Sequence, residues 1–227
     1  MGNHQLLVSI VFIIYMKTIL EKVKKEAKNK LSGINSCHEW EHTERVYNLA
    51  INIGKKEKAD LEVLGLAAML HDIARKEEDK SNGKIDHAEE GAILAKKVLS
   101  KYNISKEKIE NIAHCIQTHR YRNNKIPQTK EAKILYDADK LDAIGAIGIG
   151  RAFSFAGHVG AKVHNKDVDL KKTKQYSVDD TAWREYEMKL KYIKDKILTK
   201  EGKRIANQRH KFMKVFFERL NKEVEGE

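Results

Sequence analysis

Four histidines each close an apolar stripe of helical spacing, and that repetition is the first sign of chemistry in the chain. His42 lies one turn before Val46, Leu49, Ala50 and Ile53 on the same face, and Leu64, Ala67 and Ala68 lead to His71, with Asp72 beside it. His87 precedes Gly91, Leu94 and Val98 by the same arithmetic, and Ile112 and Ile116 share a face with His119. A further helical segment, 134–142, sets Leu135, Asp139 and Asp142 on one side among apolar neighbours.

A buried carboxylate without a counter-charge costs several kcal/mol, and a divalent cation shared with neutral imidazoles would satisfy the whole set at once. Imidazole and carboxylate together form a ligand set suited to manganese, iron, cobalt, nickel or zinc, and would hold magnesium more weakly. Any one of these histidines alone would be read as a core residue with a single hydrogen bond. Their recurrence on four helices, with acids beside them, points to a metal centre.

A second pattern competes at the same place. His38, Glu39 and His42 satisfy H-E-x-x-H, in which two histidines one turn apart bind zinc and the glutamate activates water in a protease. Ten histidines and many glutamates make a pattern fixed at three positions easy to meet by chance, and it accounts for neither His71 and Asp72 nor the Asp139 segment. A metal-containing binding or signalling module without catalysis is the third class.

The ordered set resembles the HD-domain metal-dependent phosphohydrolase superfamily, whose signature is H…HD…D on an all-helical bundle. His42-Thr-Glu-Arg-Val46 is similar to its first histidine segment, His71-Asp72-Ile-Ala-Arg75 to the HD dyad, and Asp137-Ala-Asp139-Lys-Leu-Asp142 to the last aspartate segment. The likeness covers residues 34–220, and Gly145-Ala-Ile-Gly-Ile-Gly-Arg151 within it resembles an uncharacterised prokaryotic branch of predicted hydrolases. It implies an all-α, single-domain bundle in which His42, His71, Asp72 and Asp139 hold a divalent metal. Members with two ions add histidines, for which His87 and His119 stand here, with Asp72 bridging; His114, half a turn from His119, would face elsewhere. The implied reaction is hydrolysis of a phosphate ester, of a nucleotide or another small phosphorylated molecule, by metal-activated water. Asp72, Arg75 and Lys140 are assigned to the chemical step, and Arg120, Arg122 and Lys140 to the substrate's phosphate, because a guanidinium fork matches phosphate geometry.

These side chains need helices to carry them. One proline, 13 glycines and long runs rich in Lys, Glu, Ala, Leu and Ile favour an all-α fold. Helices are expected over about 17–30, 37–55, 60–74, 87–101, 105–120, 129–155 with a break near Gly145, 179–198 and 200–223. Ser36 with Glu39, and Ser177 with Asp180, have the capping-box form, and Asp60 caps alone. The stretches 75–86 and 121–128 read as surface loops, and so does the longer 157–178, with a mobile excursion over the site as the lesser alternative.

A net charge of +11 draws phosphate-bearing partners, but the lysines are spread over helix faces without the interleaved aromatics of a nucleic-acid platform; a small anionic substrate explains the charge as well as nucleic acid would, and a nucleic-acid binder driven by that charge stays as an alternative to catalysis. Cys37 and Cys115 match no metal-finger spacing and make no disulfide framework, which suits packing roles in a reducing, cytoplasmic setting. The apolar run 6–16 is about half a bilayer span, so no membrane partner is expected. Residues 1–15 read as an apolar extension ahead of a start at Met16, and 16–227 as one domain whose C-terminal helices begin near 179.

Overall fold

The computed structural model describes residues 2–32, 40–120, 125–165 and 168–227, with side chains from residue 15 onward. Among the described residues every regular element is helical. The chain divides into two compact units, 1–136 and 137–227.

The first unit is built round α3 (Leu61–Leu70), whose residues from Val63 onward are all buried. Such a helix is apolar all round and must be enclosed. Helices α1 (Gly2–Leu31), α2 (Trp40–Glu57) and α6 (Lys106–Thr118) pack on it, and α5 (His87–Leu99) packs on α6. From Tyr15 onward α1 buries Ile19, Val23, Ala27 and Leu31, one residue per turn. It begins well before the expected residue 17, because the apolar run that precedes Met16 continues the same helix. Asp60 caps α3 by accepting the backbone N–H groups of Glu62 and Val63 at 2.9 and 3.2 Å.

Two expectations fail around the HD dyad. The third helix stops at Leu70 instead of 74, and the chain turns through 71–74 with bonds from Ile73 N–H to Leu70 O and from Arg75 N–H to Asp72 O. The supposed loop 75–86 opens with a helix, α4 (Arg75–Lys80). Its sequence is wholly charged, so no apolar period betrays it. Its inward residue is Glu78, buried because cations surround it.

Helix α7 (Lys130–Asp142) begins in the first unit, where Glu131 accepts the N–H of Asp60 and a bond from Asn111, and it ends in the second. The expected break follows it: Gly145 adopts φ +84°, a left-handed conformation with Arg209 packed against it, and α8 (Gly145–His158) starts there.

In the second unit α10 (Lys200–Val224) packs on α8, and α8 on α9 (Ala182–Met188). Phe153, Trp183, Tyr186, Phe216 and Phe217 form an aromatic cluster in which Tyr186 and Phe217 are buried and stacked at 4.3 Å. The single helix expected over 179–198 is instead α9 followed by a 3-10 segment, Leu190–Lys196. Nor does Ser177 cap it: Thr181 accepts from Arg184 N–H, while Ser177 accepts from Asp179 N–H in the preceding turn. Among its described residues the excursion 157–178 carries the end of α8 and a three-residue 3-10 turn, Leu170–Lys172, and buried polar contacts tie it to the start of α9. Buried Arg184 donates to Asp180 at 2.8 Å and to the Thr173 hydroxyl, and buried Thr181 donates to Asn165 at 2.7 Å.

Cys115 is buried, and burial pushes its thiol far above the ordinary range, as fits a packing residue. Cys37, together with the Ser36–Glu39 cap, lies outside the described residues. No helix among the described residues is long and apolar enough to cross a membrane.

Candidate metal centre

The end of α3 delivers His71 and Asp72, α2 delivers His42, the start of α5 delivers His87, and the residue after α6 is His119. These five side chains meet, and none is more than 2 % exposed. They fall into two groups that share Asp72, one with His42 and His71, the other with His87 and His119, each with ligand atoms within 4.8 Å of one another.

The two oxygens of Asp72 divide between the groups. Oδ2 lies 3.4 Å from His71 Nε2 and 3.8 Å from His42 Nε2, while Oδ1 lies 3.2 Å from His87 Nε2 and 3.8 Å from His119 Nε2. Within each group the imidazoles also face one another: His71 and His42 Nε2 are 3.4 Å apart, and His87 and His119 Nε2 3.3 Å apart.

The outer ring nitrogens determine what those inner ones can be. His71 Nδ1 is 2.8 Å from the carbonyl of Ala68, and His119 Nδ1 is 2.6 Å from that of Ile116. His87 Nδ1 is 2.8 Å from Glu78 Oε2. A carbonyl or carboxylate oxygen can only accept, so Nδ1 carries the proton in all three rings, and in the neutral tautomer Nε2 presents a lone pair. In that neutral form His87 and His119 would aim two lone pairs at each other beside a carboxylate, buried from solvent. That arrangement is repulsive unless a cation joins it, and a divalent ion fits the donor set without added protons. The outer hydrogen bonds, ring N–H to carboxylate or backbone carbonyl, are those that orient metal-binding histidines in general.

Glu78 is the residue that sequence reading missed. It accepts from His87 Nδ1, from Arg75 at 2.8 Å and from Arg120 at 2.5 Å. Burial raises its pKa, but the donors it accepts from, the His87 ring N–H, Arg120 and Arg75, outweigh burial and hold the carboxyl below its usual range. The one signal for it in the chain is its place three residues after Arg75, since that spacing joins side chains on a helix.

Arg75 and Arg120 border this centre through Asp72 and Glu78. Arg75 also donates to Asp72 Oδ1 at 3.2 Å, and Arg120 pairs with Asp86 at 3.1 Å, so both guanidiniums are already engaged with acids. His114 belongs to neither group and accepts the N–H of Gln128 at 2.9 Å. Asp139 and Lys140 stand on the second-unit part of α7, where the lysine donates to the aspartate at 2.8 Å. Asp142 there pairs with Arg151 at 2.7 Å. Asp137 accepts the N–H groups of Leu198 and Thr199 and the Thr199 hydroxyl, fastening α7 to the start of α10. Arg122, His38 and Glu39 lie outside the described residues, so the H-E-x-x-H pattern is met here only at His42.

A helical fold carrying an H…HD set at one point defines a class, and the chain belongs to it: it matches the HD domain family over residues 40–144. An uncharacterised protein of Bacillus subtilis strain 168, YpgQ, is 33 % identical over 211 residues, which span 91 % of this chain and 94 % of that protein. The crystal structure of YpgQ in complex with ADP is similar with a TM-score of 0.71 at 29 % identity, covering 92 % of this chain and 96 % of that one. A Bacillus thuringiensis HD-superfamily hydrolase reaches a TM-score of 0.75 at 26 % identity, covering 93 % of this chain and 100 % of its own.

Proposed function

We propose that this protein is a metal-dependent phosphohydrolase acting on a nucleotide or another small phosphorylated molecule. The observation that carries the reading is the pair of facing Nε2 groups on either side of Asp72. When bound, a divalent ion supplies Lewis-acid charge at a phosphoryl oxygen and lowers the pKa of water at the site.

The chain's own residues supply the rest. His42, His71 and Asp72 would hold one ion, with Asp139 as a further ligand on the strength of its position in the motif. Asp72, His87 and His119 would hold a second. Ala68 O, Ile116 O and Glu78 hold three of the imidazoles in the tautomer that binds a cation. Burial of the five donors keeps water from competing for them, which strengthens each electrostatic contact. Arg75 and Arg120 flank the histidine set as phosphate partners, and they would exchange part of their hold on acidic side chains for the substrate's oxygens. Arg122 and Lys140 enter by sequence position alone. The ADP complex of YpgQ supports a nucleotide as substrate, and the net charge of +11 suits any such anion.

The test combines metal analysis of protein purified without chelator with a phosphate-release screen against nucleotides, monoesters and diesters. Wild-type protein should carry a divalent metal and turn over at least one phosphate ester, and Asp72→Ala should lower the rate by about 100-fold or more. Activity unchanged in Asp72→Ala refutes the assignment. Loss of metal in Glu39→Ala with Asp72→Ala tolerated would favour the zinc-protease alternative.

A further inference from the structure

We infer that Glu78 is a positioning residue for the metal centre: by accepting the Nδ1 proton of His87 it aims His87 Nε2 at Asp72 and His119. The inference rests on the metal reading given above and extends it to a residue outside the H…HD…D signature.

The geometry is specific. Oε2 of Glu78 lies 2.8 Å from His87 Nδ1 and 2.8 Å from Arg75, while Oε1 receives Arg120, so each carboxylate oxygen has a defined donor. The opposite ring nitrogen of His87 is 3.2 Å from Asp72 Oδ1 and 3.3 Å from His119 Nε2. A chain of contacts thus runs from a buried carboxylate through an imidazole to the shared aspartate. Arg75 closes a second path between the same two acids, donating to Glu78 with one terminal nitrogen and to Asp72 with the other.

The other two rings with assigned tautomers lean on backbone carbonyls, Ala68 O and Ile116 O, which no side-chain substitution removes. Of these three rings His87 is the one whose partner is a side chain, and it stands at the first position of α5, where no preceding helical turn offers a carbonyl. Without Glu78 the pull of Asp72 Oδ1, 3.2 Å from Nε2, on a proton there would go unopposed, and the ring could turn its N–H inward. A carboxylate partner also raises the basicity of the far nitrogen, and loss of such a partner typically costs metal affinity about 10- to 100-fold.

Two measurements on the full-length protein test this, using Glu78→Gln, Glu78→Ala and the conservative Glu78→Asp. Long-range proton–nitrogen correlation spectra of the imidazoles in metal-free protein should show His87 as the Nδ1–H tautomer in wild type and as a mixture in Glu78→Ala. Titration with manganese alone should show a roughly 10- to 100-fold weaker second ion in Glu78→Ala and Glu78→Gln, with the first ion bound as in wild type and partial recovery in Glu78→Asp. A His87 tautomer and manganese affinities unchanged in Glu78→Ala overturn the inference, even if the variant melts at a lower temperature. Should wild-type protein bind no divalent ion, the metal reading fails, and a His87 tautomer that still follows Glu78 would mark that failure as separate from the positioning role.

Discussion

At the scale of single residues, the centre is governed by proton bookkeeping on imidazoles. Three of its rings direct an Nδ1–H outward, to Ala68 O, Ile116 O and Glu78, so that in the neutral form the inward nitrogen is a base. The two groups meet at Asp72, so their members are not equivalent. Asp72→Ala should remove both ions, whereas His119→Ala should remove one and leave the His42 and His71 group occupied. Metal content per chain after dialysis distinguishes the two outcomes, and equal losses in the two variants would contradict a shared carboxylate. Which histidines would turn inward was legible in the chain, because each closes a helical stripe. Glu78 was not, since a glutamate in Arg-Lys-Glu-Glu-Asp-Lys has the sequence appearance of solvated surface.

At the scale of elements, caps and buried ion pairs decide where helices start. Asp60 fixes the start of the buried helix α3, and burial, which raises its pKa, is outweighed by the hydrogen bonds of Lys108, Val63 N–H and Glu62 N–H, which lower it. A carboxyl whose folded pKa is depressed stabilises the fold above its ordinary value of 3.8 and loses that contribution as pH falls through the folded value. Asp60→Ala should therefore cost about 1 kcal/mol at neutral pH, and the deficit should shrink on acidification below that range, as measured by denaturant melts at several pH values. In the second unit the buried pair of Arg184 and Asp180 anchors the excursion 157–178. Replacing Arg184 by Ala strands a buried carboxylate and should cost about 3–5 kcal/mol, with proteolysis appearing first within 157–178. Resistance of that stretch to cleavage in the variant would show that other contacts hold it.

For the whole molecule, a ligand that binds only the folded chain raises its stability by mass action. Manganese at about 100 times its dissociation constant should add about 2.7 kcal/mol to the unfolding free energy, visible as an upward shift of the thermal transition. The shift should vanish in Asp72→Ala and on addition of a chelator. A transition that ignores metal in wild-type protein would argue against a centre formed by folding. Net charge acts at this scale too: with +11 distributed over helix faces, attraction to anionic substrates should weaken as salt rises, while the buried centre is screened far less.

Helical class, the break at Gly145, the Asp60 cap and the inward direction of four histidines were all readable from periodicity and spacing, because those are local properties of a chain with a 3.6-residue repeat. The charged helix α4, the early end of α3, the Thr181 cap and the burial of Glu78 were not, because each depends on partners distant along the chain or on a side chain whose burial is paid for by cations from other elements. Residue order could nominate ligands. Only folding could bring α2, α3, α5 and the end of α6 to one point and put imidazole Nε2 atoms within 3.4 Å of each other, and it is that crowding of ring nitrogens around a carboxylate that a cation would relieve.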